Sequence, residues 1–156
     1  MKRIASLLAL ALLVSGARAA TLERLDLEAL RGKVVLVDFW ASWCAPCKES
    51  FPWMQQMQRR YGEKGLVIVA VNLDSDRHAA DEFLRHQNPV FHLIFDPKAG
   101  LAERYHVDSM PASFLLDRRG RQRFAHAGFQ VEERGNFEKE LQGLLGEPAP
   151  DDGDGK

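Results

Sequence analysis

Residues 34–40 (VVLVDFW) are almost continuously apolar and rich in β-branched side chains, the pattern of a central strand covered on both faces. Asp38 is its one polar member. Residues 44–61 instead place Met54, Met57 and Tyr61 on one side and Gln55, Gln56, Gln58 and Arg59 largely on the other, which predicts a helix. Pro52 should kink it, because a proline inside a helix removes a hydrogen bond and crowds the preceding turn. Gly62 to Gly65 closes this helix, and residues 66–73 read as a second buried strand. Strand, helix, strand predicts a right-handed parallel unit.

Downstream, residues 76–87 carry Ala79, Ala80, Phe83 and Leu84 at helical spacing, stopped by Asn88-Pro89, and a third strand is expected at about 91–95. Asp96-Pro97 reads as a helix start in which the aspartate caps and the proline occupies the first turn, with that short helix ending near Tyr105. Residues 112–117 and 121–127 flank Arg118-Arg119-Gly120 as an antiparallel hairpin. Phe137, Leu141, Leu144 and Leu145 form the stripe of a last helix, closed by Gly146. Parallel strands come first and an antiparallel pair last, so the expected class is α/β, a mixed central sheet with helices on both faces.

The two ends of the chain follow other rules. Lys2 and Arg3, then an apolar run, then Ala17-Arg18-Ala19 make a signal-peptide pattern over residues 1–19. Cleavage is expected after Ala19, with Ala20 as the alternative. The apolar run is shorter than the roughly 20 residues of a membrane-spanning helix, so an uncleaved anchor is the weaker reading. This predicts an exported protein, soluble after cleavage, in the periplasm or a comparable compartment. Residues 20–146 then form one domain, opening with an apolar lead-in that carries Leu22, Leu25, Leu27 and Leu30, and residues 147–156 form a disordered Pro, Gly and Asp tail.

Removing residues 1–19 takes away three of the 21 basic residues and none of the 22 acidic ones, leaving a net charge of −4. Without a long basic run there is no reason to expect a nucleic-acid partner.

Both cysteines lie in Cys44-Ala45-Pro46-Cys47. A structural disulfide restrains the unfolded chain by closing a long loop, and this pair closes almost none, so its chemistry is the better explanation. Thiol-disulfide exchange needs an attacking thiolate and a second thiol to resolve the mixed disulfide. Two intervening residues set both sulfurs in the first turn of one helix, where free N–H groups and the helix dipole lower the first thiol's pKa below about 8.5. Cys44 is expected to be the exposed nucleophile and Cys47 the shielded resolver. Pro46 suits an early helical position.

The run from Val35 through Phe39-Trp40-Ala41-Ser42-Trp43-Cys44-Ala45-Pro46-Cys47-Lys48, with Pro52 beyond it, resembles the active-site segment of the thioredoxin superfamily. Val69-Ala70-Val71-Asn72-Leu73-Asp74 and the stretch from Met110-Pro111 to Gly120 resemble its TlpA/ResA-like exported thiol-disulfide oxidoreductases. The resemblance implies a thioredoxin fold and a protein oxidoreductase whose only redox group is its own dithiol, with no cofactor and no metal. It further implies a cis bond at Pro111, although sequence alone leaves that bond trans, and a client strand pairing with the backbone of Met110.

Burial within an apolar strand should raise the pKa of Asp38, and the resemblance makes it the group that takes and returns the resolving cysteine's proton. The alternative is that Asp38 satisfies a local hydrogen bond. TlpA/ResA-like proteins often carry a glutamate three residues after the second cysteine, where this chain has Ser50, and Glu49 lies about 100° away around a helix. Trp40 reads as core, Trp43 as a candidate for the client-binding surface, and Lys48 as a solvated side chain.

The leading expectation is therefore a monomeric oxidoreductase that reduces client disulfides, in cytochrome c maturation or at metal-site thiols, recharged by an upstream redox partner embedded in the membrane. The alternative is a copper-binding chaperone on the same fold, since paired thiolates suit Cu(I). A thiol peroxidase is a poor match because Ala41-Ser42-Trp43-Cys44 lacks its Thr-x-x-Cys setting. The five histidines have no ligand spacing, and Lys48 after Cys47 excludes the haem-attachment pattern.

Overall fold

The computed structural model describes residues 24–150, so the signal-peptide reading of residues 1–19 and the end of the polar tail lie outside it. Its centre is β1 (Val34–Trp40), all seven residues of which are buried. β1 pairs in parallel with β2 (Leu66–Asn72), from Val34 opposite Leu66 to Trp40 opposite Asn72. On its other side it pairs antiparallel with β4 (Ala112–Leu116). β3 (His92–Phe95) lies parallel to β2 at one edge, and β5 (Gln122–Ala127) lies antiparallel to β4 at the other. The five-stranded order is β3-β2-β1-β4-β5.

Alternate residues of β1 serve different cores, as the two-residue period of a strand requires. Val34, Leu36 and Trp40 face α1 (Ala45–Tyr61), α2 (Arg77–Gln87) and α4 (Arg134–Gly146), through side chains such as Phe51, Met54, Phe83, Phe137 and Leu141. Val35, Val37 and Phe39 face the short α3 (Gly100–Arg104) and the lead-in residues Leu25, Leu27 and Leu30. A strand covered on both sides has no solvent face, which is why its sequence is apolar without alternation.

Local rules set most boundaries. Asp76 caps α2, its carboxylate accepting from His78 N–H at 2.9 Å, and Asn88 ends it in the left-handed region at φ 44°. Gly62–Lys64 forms a 3₁₀ turn after α1, and Gly65 turns the chain into β2 at φ 104°. In the β4–β5 turn Gly120 takes φ 75° while the Asp117 carboxylate accepts from Arg119 and Arg121 N–H.

The start of α3 differs from expectation. Asp96 N–H still bonds to Asn72 O at 2.9 Å, extending the sheet, so the chain needs a turn at residues 96–99 before helix can begin. Pro97 therefore lies in that turn and not in the helix, which starts at Gly100. Asp96 does cap it, but from a distance, accepting from Gly100, Leu101 and Ala102 N–H at 2.9, 2.7 and 3.2 Å. Beyond α4, Glu147 is held by Arg118 through its carbonyl and by Arg123 through its carboxylate. Among the described residues no helix is long and apolar enough to cross a membrane.

Candidate active site

β1 ends at Trp40, and the chain turns through residues 41–44, Cys44 N–H closing on Ala41 O at 3.1 Å, before α1 begins. Cys44 is the N-cap of α1 with extended backbone, and its sulfur accepts from Cys47 N–H at 3.3 Å. One of the orphan donors of the helix start is thus aimed at the sulfur predicted to become anionic. Pro46 stands in the first turn, which has no acidic residue to oppose a thiolate. The two cysteines are joined, S–S 2.03 Å and Cα–Cα 5.3 Å.

Their exposures rank as expected, but Cys44 is less open than the sequence suggests. Cys47 is fully covered and Cys44 is 5% exposed, because the turn folds its sulfur onto the apolar cluster containing Phe51 and Trp53. The neighbouring Trp43 is 70% exposed, and Ala45 and Lys48 are also at the surface.

Asp38 shares the face of β1 that carries Leu36 and Trp40, the face under α1. It lies opposite Ser113 of β4, whose hydroxyl donates to Oδ1 at 2.6 Å, while Oδ2 is buried without a hydrogen-bond partner. Burial pushes its carboxyl up to about 7, against the smaller lowering effect of the Ser113 hydrogen bond. The local hydrogen bond considered as an alternative exists, and it satisfies only one of the two oxygens. Two residues along, Trp40 packs edge-on against Phe51 with ring centroids 4.8 Å apart and also meets Phe83. It is core, as read.

On α1 the Ser50 hydroxyl is buried and donates to Cys47 O at 3.0 Å, whereas Glu49 is exposed. A carboxylate in solvent on the adjoining helix position does not replace the missing glutamate.

The Met110–Pro111 bond is cis. Met110 packs against the cluster that contains both cysteines, and Pro111 O accepts from Gly128 N–H at 2.7 Å. Asp38, Cys44, Cys47 and Met110 therefore gather at one side of the sheet, with Trp43 projecting from its rim.

The sequence reading missed the residues that hold the turn. Asp74, just past β2 and 6% exposed, accepts from the Ser42 N–H and hydroxyl, both at 2.9 Å, and from Asn72 Nδ2 at 2.6 Å. A signal was present: Asn72 and Asp74 are polar at the carboxyl end of a parallel strand, where sites of open α/β sheets form. Among the described residues no three His, Cys, Asp or Glu side chains gather where they could hold a metal ion, so the copper reading gains no support.

Comparison with known proteins agrees with this arrangement. ResA of Bacillus subtilis, a thiol-disulfide oxidoreductase, is 32% identical over 99 residues, covering 64% of this chain and 55% of that protein. The thioredoxin-like protein YneN of Bacillus subtilis is 35% identical over 109 residues, 68% of this chain and 63% of that one. The chain thus spans a little over half the length of these curated relatives. Among solved structures, a Chlorobium tepidum protein assigned as a thiol:disulfide interchange protein DsbE is 45% identical with a TM-score of 0.75, over 77% of this chain and 85% of that one. The family model described as Redoxin matches residues 14–141, and with a five-stranded mixed sheet, a cysteine pair capping its first helix and these relatives, the chain belongs to the Redoxin family and has the thioredoxin fold.

Proposed function

We propose that this protein is an exported thiol-disulfide oxidoreductase that reduces disulfides in other proteins. The observation that carries the reading is the Cys44–Cys47 disulfide across the first turn of α1, with the Cys44 sulfur on the Cys47 N–H. A pair three residues apart restrains little chain, and a helix start is where a thiolate is stabilised. The similarity to ResA and to a DsbE-type protein supports the same activity.

In the reduced protein the Cys44 thiolate attacks one sulfur of a client disulfide, forming a mixed disulfide and releasing the other client sulfur as a thiolate. Cys47 then attacks the Cys44 sulfur. Asp38, protonation-ready near neutrality with a free Oδ2, accepts the Cys47 proton as that thiol becomes the nucleophile. The second client thiolate leaves, the client has gained two electrons, and the Cys44–Cys47 disulfide is restored. A dithiol of an upstream partner, which we place in the membrane, must return two electrons for each cycle.

Client contact falls to Trp43, Met110 and Pro111, the backbone of Met110 pairing with an extended client strand. We place the mature protein in the periplasm as a monomer, cleaved after Ala19 and acting on apocytochrome or metal-site thiols.

Insulin reduction tests the activity: the dithiothreitol-reduced protein should precipitate insulin chains, and Cys44→Ser should abolish this. Equilibration of the pair in glutathione buffer tests the direction. A pair more reducing than glutathione fits a reductant, and a strongly oxidising one would reassign the protein as a disulfide donor.

A further inference from the structure

Asp74 takes no part in the exchange steps, yet its buried carboxylate is devoted to the turn that carries Cys44. Oδ2 accepts from Ser42 N–H at 2.9 Å and from Asn72 Nδ2 at 2.6 Å, and Oδ1 accepts from the Ser42 hydroxyl at 2.9 Å. Asn72 in turn holds Asp74 by accepting its N–H at 3.1 Å. Beside this clamp, Leu73 N–H bonds to Trp40 O at 2.9 Å. The segment after β2 therefore grips residues 40 and 42, immediately before the nucleophile, by three hydrogen bonds. No other side-chain hydrogen bond among the described residues reaches the backbone or side chain of Ser42.

Ala41 and Cys44 are anchored at either end by burial in the apolar cluster, but Ser42 is only half-buried and residues 42–43 between them have little else to fix them. Cys44 N–H closes on Ala41 O, and Trp43 is largely in solvent. The favourable contact of the Cys44 sulfur with Cys47 N–H depends on where this turn delivers Cys44, since hydrogen bonds weaken steeply with misalignment.

We propose that Asp74 is a positioning residue for the exchange reaction: by clamping Ser42 through both carboxylate oxygens, it delivers Cys44 to the helix start and turns Trp43 outward. This rests on the oxidoreductase reading above, and it adds a component that the cysteines and Asp38 do not contain.

The direction of the effect separates positioning from simple electrostatics. Loss of a nearby negative charge by itself would lower the Cys44 thiol pKa. Loss of the clamp should raise it toward the ordinary value of about 8.5, because the N–H contact is weakened.

The test uses the reduced full chain as wild type, Asp74→Ala, Asp74→Asn and Ser42→Ala, measured by the pH profile of Cys44 alkylation and by insulin reduction. Asp74→Ala should raise the apparent thiol pKa by about one unit and slow exchange near neutrality about threefold, the loss of thiolate being partly offset by its greater nucleophilicity. Asp74→Asn should recover most of both, since an amide oxygen can replace Oδ2 and the amide nitrogen can donate to the Ser42 hydroxyl. Ser42→Ala should shift both in the same direction by less.

A folded Asp74→Ala protein with a wild-type profile, a lowered thiol pKa, or an Asn variant as impaired as Ala would each overturn the proposal. If Asp74→Ala does not fold, an unshifted profile in Ser42→Ala overturns it. Failure of the wild type to reduce insulin would instead count against the oxidoreductase reading, and the alkylation profiles would still decide the role of Asp74.

Discussion

At 1% exposure on the central strand, Asp38 has one oxygen on Ser113 and the other on nothing. The folded protein keeps its proton up to about pH 7, while the unfolded chain gives it up near 3.8. With respect to this group, stability is full below about pH 3.8 and is lost as pH rises through 7, by at most on the order of 4 kcal/mol. Urea midpoints of the oxidised protein, in which the cysteines do not titrate, should fall across that window, and those of Asp38→Asn should lack this component. Parallel curves would refute the shift. In the exchange reaction Asp38→Asn should slow release of the mixed disulfide by on the order of 100-fold, the lower end for loss of a general base, while Glu49→Gln should not, as quenched-flow trapping of the intermediate can show. Equal effects on both rates would refute the assignment. Asp38 and the cysteines could be read from the sequence because a lone acid in an apolar strand and a Cys-x-x-Cys pair are local anomalies. Ser113 could not, since its pairing with Asp38 depends on strand register.

The elements were legible wherever a short-range rule sets them. β1 and the end of α2 follow from continuous apolarity and an asparagine stop, each contained in a few neighbouring residues. α3 shows the limit of such rules. Asp96 is the capping residue in both sequence and structure, but the helix begins at Gly100, three residues beyond the expected Pro97, because Asp96 remains tied to the sheet through Asn72 O. Five residues are too few for a helix to hold alone, so α3 relies on Asp96 and on the packing of Leu101 and Ala102. Asp96→Ala should cost about 1–2 kcal/mol in urea unfolding and speed amide exchange at Gly100, Leu101 and Ala102. Unchanged exchange there would show that packing alone suffices.

Across the whole molecule, Arg118 joins parts of the chain that no local pattern connects. Its guanidinium donates to Gly32 O at 2.7 Å, Leu145 O at 2.9 Å, Glu147 O at 3.1 Å and Lys64 O at 3.3 Å. It thereby ties the lead-in, the α1–β2 connection and the end of α4 to the hairpin turn. A lysine carries the charge without the planar fork, so Arg118→Lys should lose about 2 kcal/mol in urea unfolding. A lysine variant as stable as wild type would show that charge alone is enough. The sequence by itself determined the order of strands and helices, the redox pair and its place at a helix start, because periodicity, caps and short spacings act over a few residues. Only the tertiary structure decided that Asp38 meets Ser113 across 75 positions, that Asp74 clamps Ser42 across 32 and that Arg118 reaches Gly32 across 86. Those contacts exist only once the strands have taken their register, and register is a property of the packed sheet as a whole.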